Sequence, residues 1–295
     1  MTETIGWEMY RSFLAVLNEG SLSGAARAMG VAQPTVGRHI TALEKSLNLA
    51  LFTRSQNGLM PTEAATALRT YAESMHSTVA ALERAAASQG SGVRGTVRIT
   101  ASDVIGVEVL PPIIAGLRDA HPELVVELVL TDRIQDLLRR EADIAVRMTR
   151  PKQELLVARR IGAIELGLFA HRDYLARHCT PKSMVDLAHH ALIGFDQPSL
   201  FVRGAGKSLS AWQREAFAMR TDNNLAQLAL LRAGAGIGVC QAPIARRDDA
   251  LVRLFPRQFS LPMDTWITMH EDLRNSPRCR ITFDALVKGL LQYIG

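Results

Sequence analysis

Over the first ninety residues the apolar positions recur at spacings of three and four, the period of helices. Trp7, Tyr10, Phe13, Leu14 and Leu17 give a first helix with a wide apolar face. Asn18-Glu19-Gly20 ends it, and Ser21 or Ser23 stands where a side-chain oxygen caps the next helix by accepting a backbone N–H. That helix is short and alanine-rich (Gly24 to Met29), and its small side chains let another helix approach closely. Gly30 permits a left-handed turn. Gln33-Pro34 then opens a third helix, with proline in the first turn where its missing N–H costs nothing. Val36, Ile40, Leu43 and Leu47 fall on one apolar stripe of this helix. Gln33, Thr35, Arg38 and His39 project from the opposite side.

Those polar residues suit base edges and phosphates: glutamine for adenine, arginine for guanine, a proline ring or threonine methyl against a thymine methyl. Plain solvation suits them equally, so the three helices alone leave both readings open. The next residues tilt the balance. Leu51 to Ser55 and Leu59 to Pro61 flank Gln56-Asn57-Gly58, and Asn-Gly is a strong hairpin signal. A hairpin directly after a helix-turn-helix is a wing, and Arg54 on it is placed to reach a phosphate or the adjacent minor groove. Thr62-Glu63 opens a long helix to about Ser88. Along it Leu68, Tyr71, Met75, Thr78, Leu82 and Ala85 make a heptad seam on a rod of roughly 40 Å. Nothing in cis is expected to cover that edge. It is buried either by self-dimerisation, through Leu68, Tyr71, Met75 and Leu82, or by packing onto the rest of the chain.

From Ala85 to Gly95 the chain turns small, polar and glycine-rich, as a linker does. The pattern then changes to strands alternating with helices. Strands are expected at 95–100, 123–130 and 142–147, and helices at 108–120 and 134–140. A second such block runs from 165 to 239, with a helix at 225–233, and a helix at 276–291 closes the chain. This alternation predicts a parallel α/β sheet. Gly234, Gly236 and Gly238 follow a helix and precede a strand, the reverse of a dinucleotide loop, so they read as a helix cap and a tight strand entry.

Composition narrows the classes. With 295 residues, 47% of them hydrophobic and 21% charged, the chain fits an ordinary globular protein of two or three domains. Met1 to Trp7 carries Glu3 and no cationic cluster, and no apolar run approaches membrane length, so neither a secretory signal nor a membrane span is expected. Cys179, Cys240 and Cys279 are scattered, which fits a reducing cytoplasm. The net charge of +5 suggests nucleic acid, but residues 1–90 hold seven Lys/Arg against seven Glu, so bulk basicity is no argument. Only Arg27 to Arg54 is locally positive, with Arg27, Arg38, Lys45 and Arg54 against Glu44.

Residues 7–66 resemble the winged helix-turn-helix of LysR-type transcriptional regulators. The pattern runs through Phe13, Gly20-Ser21, Ala25-Ala26, Gln33-Pro34-Thr35-Val36, Arg38, Ile40 and Leu43-Glu44, then Leu51-Phe52, Arg54 and Thr62-Glu63-Ala64. Gly37 departs from it where the family usually has a serine, and Pro61 and Ala65 replace a common leucine and glycine. Asn48 replaces a helix-ending glycine, which it can mimic in the left-handed conformation. Residues 93–291 resemble, more weakly, the family's two-lobed effector domain, which is like periplasmic solute-binding proteins.

The resemblance implies a winged DNA-binding domain at 1–61, a linker and dimerisation helix at 62–89, and an effector domain at 90–295. Its first lobe would be about 93–164 with 270–295, and its second about 165–269. The fold class is thus α/β with an all-α, winged N-terminal domain. Ser23, Gln33, Pro34, Thr35, Arg38, His39 and Arg54 are the implied DNA contacts. Carried over by position, Thr100, Ala101, Ser102 and Thr131 would line the cleft with Arg147, Met148 and Thr149, facing Phe195, Phe201, Asn223 and Asn224. Ser102 and Thr131 would offer hydroxyls, and Arg147 either binds an effector carboxylate or makes a surface ion pair.

The implied partners are an operator with two-fold-related half-sites, a small effector, an anionic one included, RNA polymerase, and further copies of the chain as a dimer or tetramer. The implied location is the cytoplasm. Neither cofactor nor metal nor catalysis is expected: His189-His190 lacks a third ligand, His171 and His178 flank a charged helix, and no nucleophile–base spacing is present. Cys240, after the last strand of the second lobe, is weighed as a redox sensor without a nearby resolving cysteine. Two rival readings remain: a regulator that needs no ligand, and a solute-binding α/β protein whose N-terminal helices only mediate assembly.

Overall fold

A computed structural model describes residues 5–55, 58–87, 92–131, 142–151, 156–197 and 213–295. The described residues up to Ala87 form one compact unit and those from Gly92 onward another.

The first unit holds α1 (Trp7–Glu19), α2 (Leu22–Met29), α3 (Gln33–Leu47), a hairpin of β1 (Phe52–Ser55) and β2 (Gly58–Pro61), and α4 (Glu63–Ala87). Its turns follow the residues that specify them. Gly20, Gly30 and Asn48 end the three short helices in the left-handed conformation, Asn48 at φ 53°. Ser21, not Ser23, caps α2 by accepting the Gly24 N–H at 3.1 Å. Phe13, Val16, Ala25, Val36, Leu43 and Leu51 close the core. Ser55 stands opposite Gly58 in the antiparallel hairpin, while Gln56 and Asn57, which carried the turn signal, lie outside the described residues.

The expectation that nothing in cis covers α4 is corrected at its amino end. Ala65 and Ala72 are buried in the core and Leu68 packs against it, because α1 lies along this part of the helix. Tyr71 and Leu82 of the same helix stay exposed, at 66% and 67%.

The second unit begins with β3 (Gly95–Ala101), α5 (Asp103–Glu108), α6 (Leu110–Ala120), β4 (Leu124–Leu130) and β5 (Ile144–Arg147). The expected helix at 108–120 is α6, with Pro111-Pro112 in its first turn, and α5, separated from it at Val109, is a further helix that the spacing did not predict. The expected helix at 134–140 lies outside the described residues. Next come β6 (Leu156–His171), α7 (Arg172–His178), β7 (Leu192–Gly194), β8 (Phe217–Arg220), α8 (Asn224–Arg232) and β9 (Ile237–Gln241). Then α9 (Ala242–Ala245), β10 (Leu251–Leu254), β11 (Leu261–His270) and α10 (Pro277–Ile294) complete the chain.

The sheet is mixed rather than parallel. β3 pairs in parallel with β4 and β5, and β7 in parallel with β8 and β9. These two parallel groups are joined through β6 and β11, which run antiparallel to each other along their length. The first part of β11 and the last part of β6 belong with β9 and β10, whereas Trp266 to Met269 of β11 pair with β5. Between Thr265 and Trp266 the register shifts, leaving Ile161 of β6 as an extra residue, a β-bulge that bends the strand pair between the lobes. Gly162, at φ 154°, takes the bend. No helix among the described residues is long and apolar enough to cross a membrane.

Candidate nucleic-acid interface and effector cleft

The buried stripe of α3 (Val36, Ile40 and Leu43) fixes which of its edges faces out. Gln33, Pro34 and Arg38 are exposed on its amino-terminal half, and Thr35 is half-buried. The Arg38 guanidinium lies 3.5 Å from Thr35 Oγ1. Gly37 sits on the same half, and a Cβ there would meet only Leu22 Cδ1, at 3.8 Å. Behind α3, Glu44 Oε1 accepts the backbone N–H groups of Leu51 and Phe52 at 2.7 and 3.3 Å. This carboxylate sets where the wing begins. The Leu59 N–H donates to Gly20 O at 2.8 Å, tying the wing to the turn after α1. Arg54 is exposed on β1.

His39 behaves differently from its neighbours. Its Nδ1 is 2.8 Å from Oγ of Ser12, which is wholly buried in α1. The ring is half-buried and spends a nitrogen on the α1–α3 contact, so the outward projection expected of it is corrected. A buried serine hydroxyl needs a partner, and position on a helical wheel does not reveal that need.

In the second unit the expected cleft residues sort into two groups. Thr100, next to last in β3, is fully buried, and its Oγ1 accepts a hydrogen bond from Arg147 Nη2 at 2.7 Å; Arg147 Nη1 donates to Val146 O at 2.9 Å. Ser102 precedes α5 and makes no side-chain cap bond. Thr131 follows β4, its N–H donating to Ala101 O at 2.9 Å. Ala101 is corrected: its methyl is fully buried in the core of the lobe, so only its backbone faces this group. Thr149 is exposed.

On the second lobe Phe195 follows β7, half-buried, and Asn223 caps α8, accepting the Ala226 N–H at 2.8 Å. Asn224 is half-buried in the first turn of that helix. Phe201 lies outside the described residues. Asp222 Oδ1 accepts the N–H groups of Asp196 and Gln197 at 3.0 and 2.9 Å, fastening the loop after β7 to the start of α8.

α5 packs against α8, and a two-pronged ion pair joins their carboxyl-terminal ends. Arg232 Nη1 and Nη2 reach Glu108 Oε1 and Oε2 at 2.7 and 2.8 Å. Arg247 adds a hydrogen bond to Glu108 O at 3.2 Å and lies over the Tyr293 ring at 5.0 Å. The hydrogen bonds from Arg232 hold the Glu108 carboxyl below its ordinary value of 4.5. A lowered carboxylate stabilises the fold fully above that value and loses the contribution as the pH falls through the lowered one. Glu108→Gln is accordingly expected to lower Tm at neutral pH, with the difference from the unaltered protein shrinking below pH 4.5. Thermal melts across that range check it.

One residue of this region escaped the sequence reading. Trp266 of β11 stands directly opposite Arg147 of β5 and Arg160 of β6, and opposed residues share a sheet face. The Arg150 guanidinium lies 5.8 Å from its ring centre. Its indole N–H is buried with no hydrogen-bond partner among the described residues. No spacing along the chain brings Trp266 to Arg147; only the strand pairing does.

The remaining candidates fall into ordinary roles. His190 is half-buried, with Nδ1 3.2 Å from the Tyr174 hydroxyl, and burial holds its pKa below the usual histidine value. Burial pushes the Cys240 thiol up to about 12, which keeps it protonated and unreactive at neutral pH.

Comparison with known proteins agrees with this architecture. The family described as bacterial regulatory helix-turn-helix protein, lysR family, matches residues 7–66, and the LysR substrate binding domain matches residues 90–290. The Mau operon transcriptional activator of Paracoccus denitrificans is 31% identical over 185 residues, 63% of each chain. The HTH-type transcriptional regulator CrgA of Neisseria meningitidis is 28% identical over 200 residues, 68% of this chain and 64% of that one. The matched stretch spans about half to just under two thirds of the curated relatives' own length. Full-length CbnR, a structure solved with its target DNA, superposes with a TM-score of 0.66 over 98% of this chain and 99% of that one, at 20% identity. With both of its units matched, the chain belongs to the LysR family of transcriptional regulators.

Proposed function

We propose that the protein is a cytoplasmic, sequence-specific DNA-binding regulator whose activity responds to a small effector. Its occupied form on DNA is a dimer or tetramer on an operator with two-fold-related half-sites, with RNA polymerase as a further partner. The observation that carries the reading is the exposed edge of α3. Gln33, Pro34 and Arg38 stand clear of a helix whose other side is locked into a core, and Arg54 of the wing is exposed as well. A rigid helix with such an edge fits a major groove, and Ser23, Thr35 and Arg54 are suited to phosphates beside it. His39 acts indirectly, holding α3 on α1 through Ser12. The exposed Tyr71, Met75 and Leu82 of α4 suit pairing with a second copy.

The effector site in this reading is the gap between the two residue groups of the second unit. This reading puts Ser102, Thr131, Arg147, Thr149 and Trp266, whose buried indole N–H has no hydrogen-bond partner among the described residues, on one side of it. Phe195, Asn223 and Asn224 stand on the other. Hydrogen-bond donors outnumber acceptors there, which favours an anionic ligand such as a carboxylate. The ligand acts by binding one lobe arrangement better than another.

Selection of genomic DNA fragments by the full-length protein, followed by footprinting, tests the DNA reading. Enrichment of a dyad-symmetric site is expected. Arg38→Ala is expected to weaken binding to it by roughly tenfold to a hundredfold, the range of one base-reading arginine. Unchanged affinity in that variant, with its fold intact, would remove α3 from the interface.

A further inference from the structure

Between Gly20 and Gly58 the chain carries five glycines, and the fold accounts for four of them. Gly20, Gly30 and Gly58 take positive φ, at 65°, 67° and 116°, where a side chain is strained. Gly24 is crowded: a Cβ there would lie 2.8 Å from Ser21 Oγ, the cap of α2, and 2.9 Å from Glu19 Cβ. Neither reason applies to Gly37. It lies inside α3 in helical backbone, and a Cβ on it would meet only Leu22 Cδ1, at an ordinary contact distance of 3.8 Å. A glycine inside a helix makes that helix less stable than alanine would. The folded chain by itself would therefore gain from a side chain at this position.

The surroundings say what the open position faces. One turn before Gly37 stand Gln33 and Pro34, next to it Arg38, and one turn after it Thr41, all of them exposed. From Leu22 to Pro61 the cations are Arg27, Arg38, Lys45 and Arg54, again all exposed. The single carboxylate of that stretch, Glu44, is half-buried and taken up by the N–H groups of Leu51 and Phe52. The outer surface around Gly37 is thus of one sign, which suits a polyanion and not a basic or neutral protein face.

Given that α3 reads DNA as proposed above, we infer that Gly37 is a determinant of sequence specificity. DNA packs directly against its Cα, and the bare backbone lets α3 sit deep enough in the groove for Gln33 and Arg38 to reach base edges. A methyl at residue 37 disturbs nothing in the free protein, so its whole penalty falls on the complex. It holds the helix away from the groove floor, where the hydrogen bonds of Gln33 and Arg38 lengthen and tilt. Such bonds weaken steeply away from their best geometry. Contacts to phosphates, which depend mainly on charge, survive the same displacement.

Gly37→Ala in the full-length protein sets stability against binding. The Tm of the first unit is expected to rise by about 2–8 °C, the gain from replacing an unstrained helical glycine. Affinity for the duplex recovered by genomic selection is expected to fall about tenfold or more, the worth of one misplaced base contact. Affinity for an unrelated duplex of equal length is expected to stay within about twofold. Gly37→Met, with a longer side chain of similar helix preference, is expected to lose more on the selected duplex without losing Tm. A stabilised Gly37→Ala that binds the selected duplex as the unaltered protein does overturns the inference. If Arg38→Ala still weakens that binding, the DNA reading of α3 stands without it. A lowered Tm in Gly37→Ala also overturns it, since the glycine would then answer a need of the fold. Equal losses on both duplexes do the same, and failure to select any duplex removes the inference together with the DNA reading.

Discussion

Phe13→Ala is expected to destabilise the helix-turn-helix unit by about 3–5 kcal/mol, the cost of emptying a large aromatic site in a close-packed core. Phe13 is 1% exposed and meets the Phe52 ring at 5.8 Å between centres, tilted by 55°. It also walls a small cavity of about 30 Å³ with Leu43, Leu47 and Leu68, so the space left by its ring would join a void that already exists. Collapse of α1, α3 and α4 into that space is limited, because His39–Ser12 and Arg69–Asn18 pin those helices at fixed distances. A loss of this size is comparable to the whole stability of a small unit. Calorimetry of the full chain should show the transition of this unit lowered or gone, with DNA retention lost in parallel. The apolar clusters of the second unit include no residue of this one, so its transition should stay. A Tm change of only a degree or two would mean that Phe13 is not the keystone its burial implies.

Gly236→Ala is expected to cost about 3 kcal/mol or more in the second unit, at the upper end for an added methyl. A Cβ on residue 236 would lie 2.3 Å from the carbonyl oxygen of Ala191 and 3.1 Å from its carbon. That oxygen cannot give way. It accepts the Ile237 N–H at 2.8 Å, and the Ala191 N–H is itself held by the Tyr174 hydroxyl at 2.9 Å. The added methyl would have to part β7 from β9. Gly106→Ala supplies the contrast, since its Cβ would come nearer still, 2.0 Å, but to the Cδ2 end of the Leu130 side chain. A rotamer change relieves that contact, and its cost should be well under that of Gly236→Ala. Paired thermal melts of the two variants decide whether backbone or side-chain obstruction governs, and equal losses would contradict this account.

The helical half of the protein was legible because its signals are local. Gly20, Gly30 and Asn48 end helices wherever they stand, and the stripe of Val36, Ile40 and Leu43 points α3 inward without reference to distant residues. The glycines before β9 were legible for the same reason. Gly234 takes the left-handed conformation at φ 67° after α8, as a helix cap does, and no phosphate loop is needed to explain it. His39 was misread because its partner is on another helix, and a helical wheel shows only an angle. The edge of α4 was misread in part because α1 covers its first turns, and nothing in a heptad pattern says which turns will be covered.

In the effector unit the pattern of alternating strands and helices revealed the layers but not the pairing. The parallel sheet expected from that alternation does not hold for β6 and β11, which run antiparallel and carry the change from one lobe to the other. Strand direction depends on hydrogen-bond partners far apart along the chain, as with Arg160 and Asp264, whose contacts of 3.1 and 2.6 Å span 104 positions. Trp266 beside Arg147 and the Glu108–Arg232 pair both arise from such pairings. The family, the order of the helices at the amino end and the face of the third helix are legible along the chain, since each depends on neighbours within a few turns. The tertiary structure alone decided which polar groups meet, because burial and hydrogen bonding between distant strands choose partners that no local period encodes.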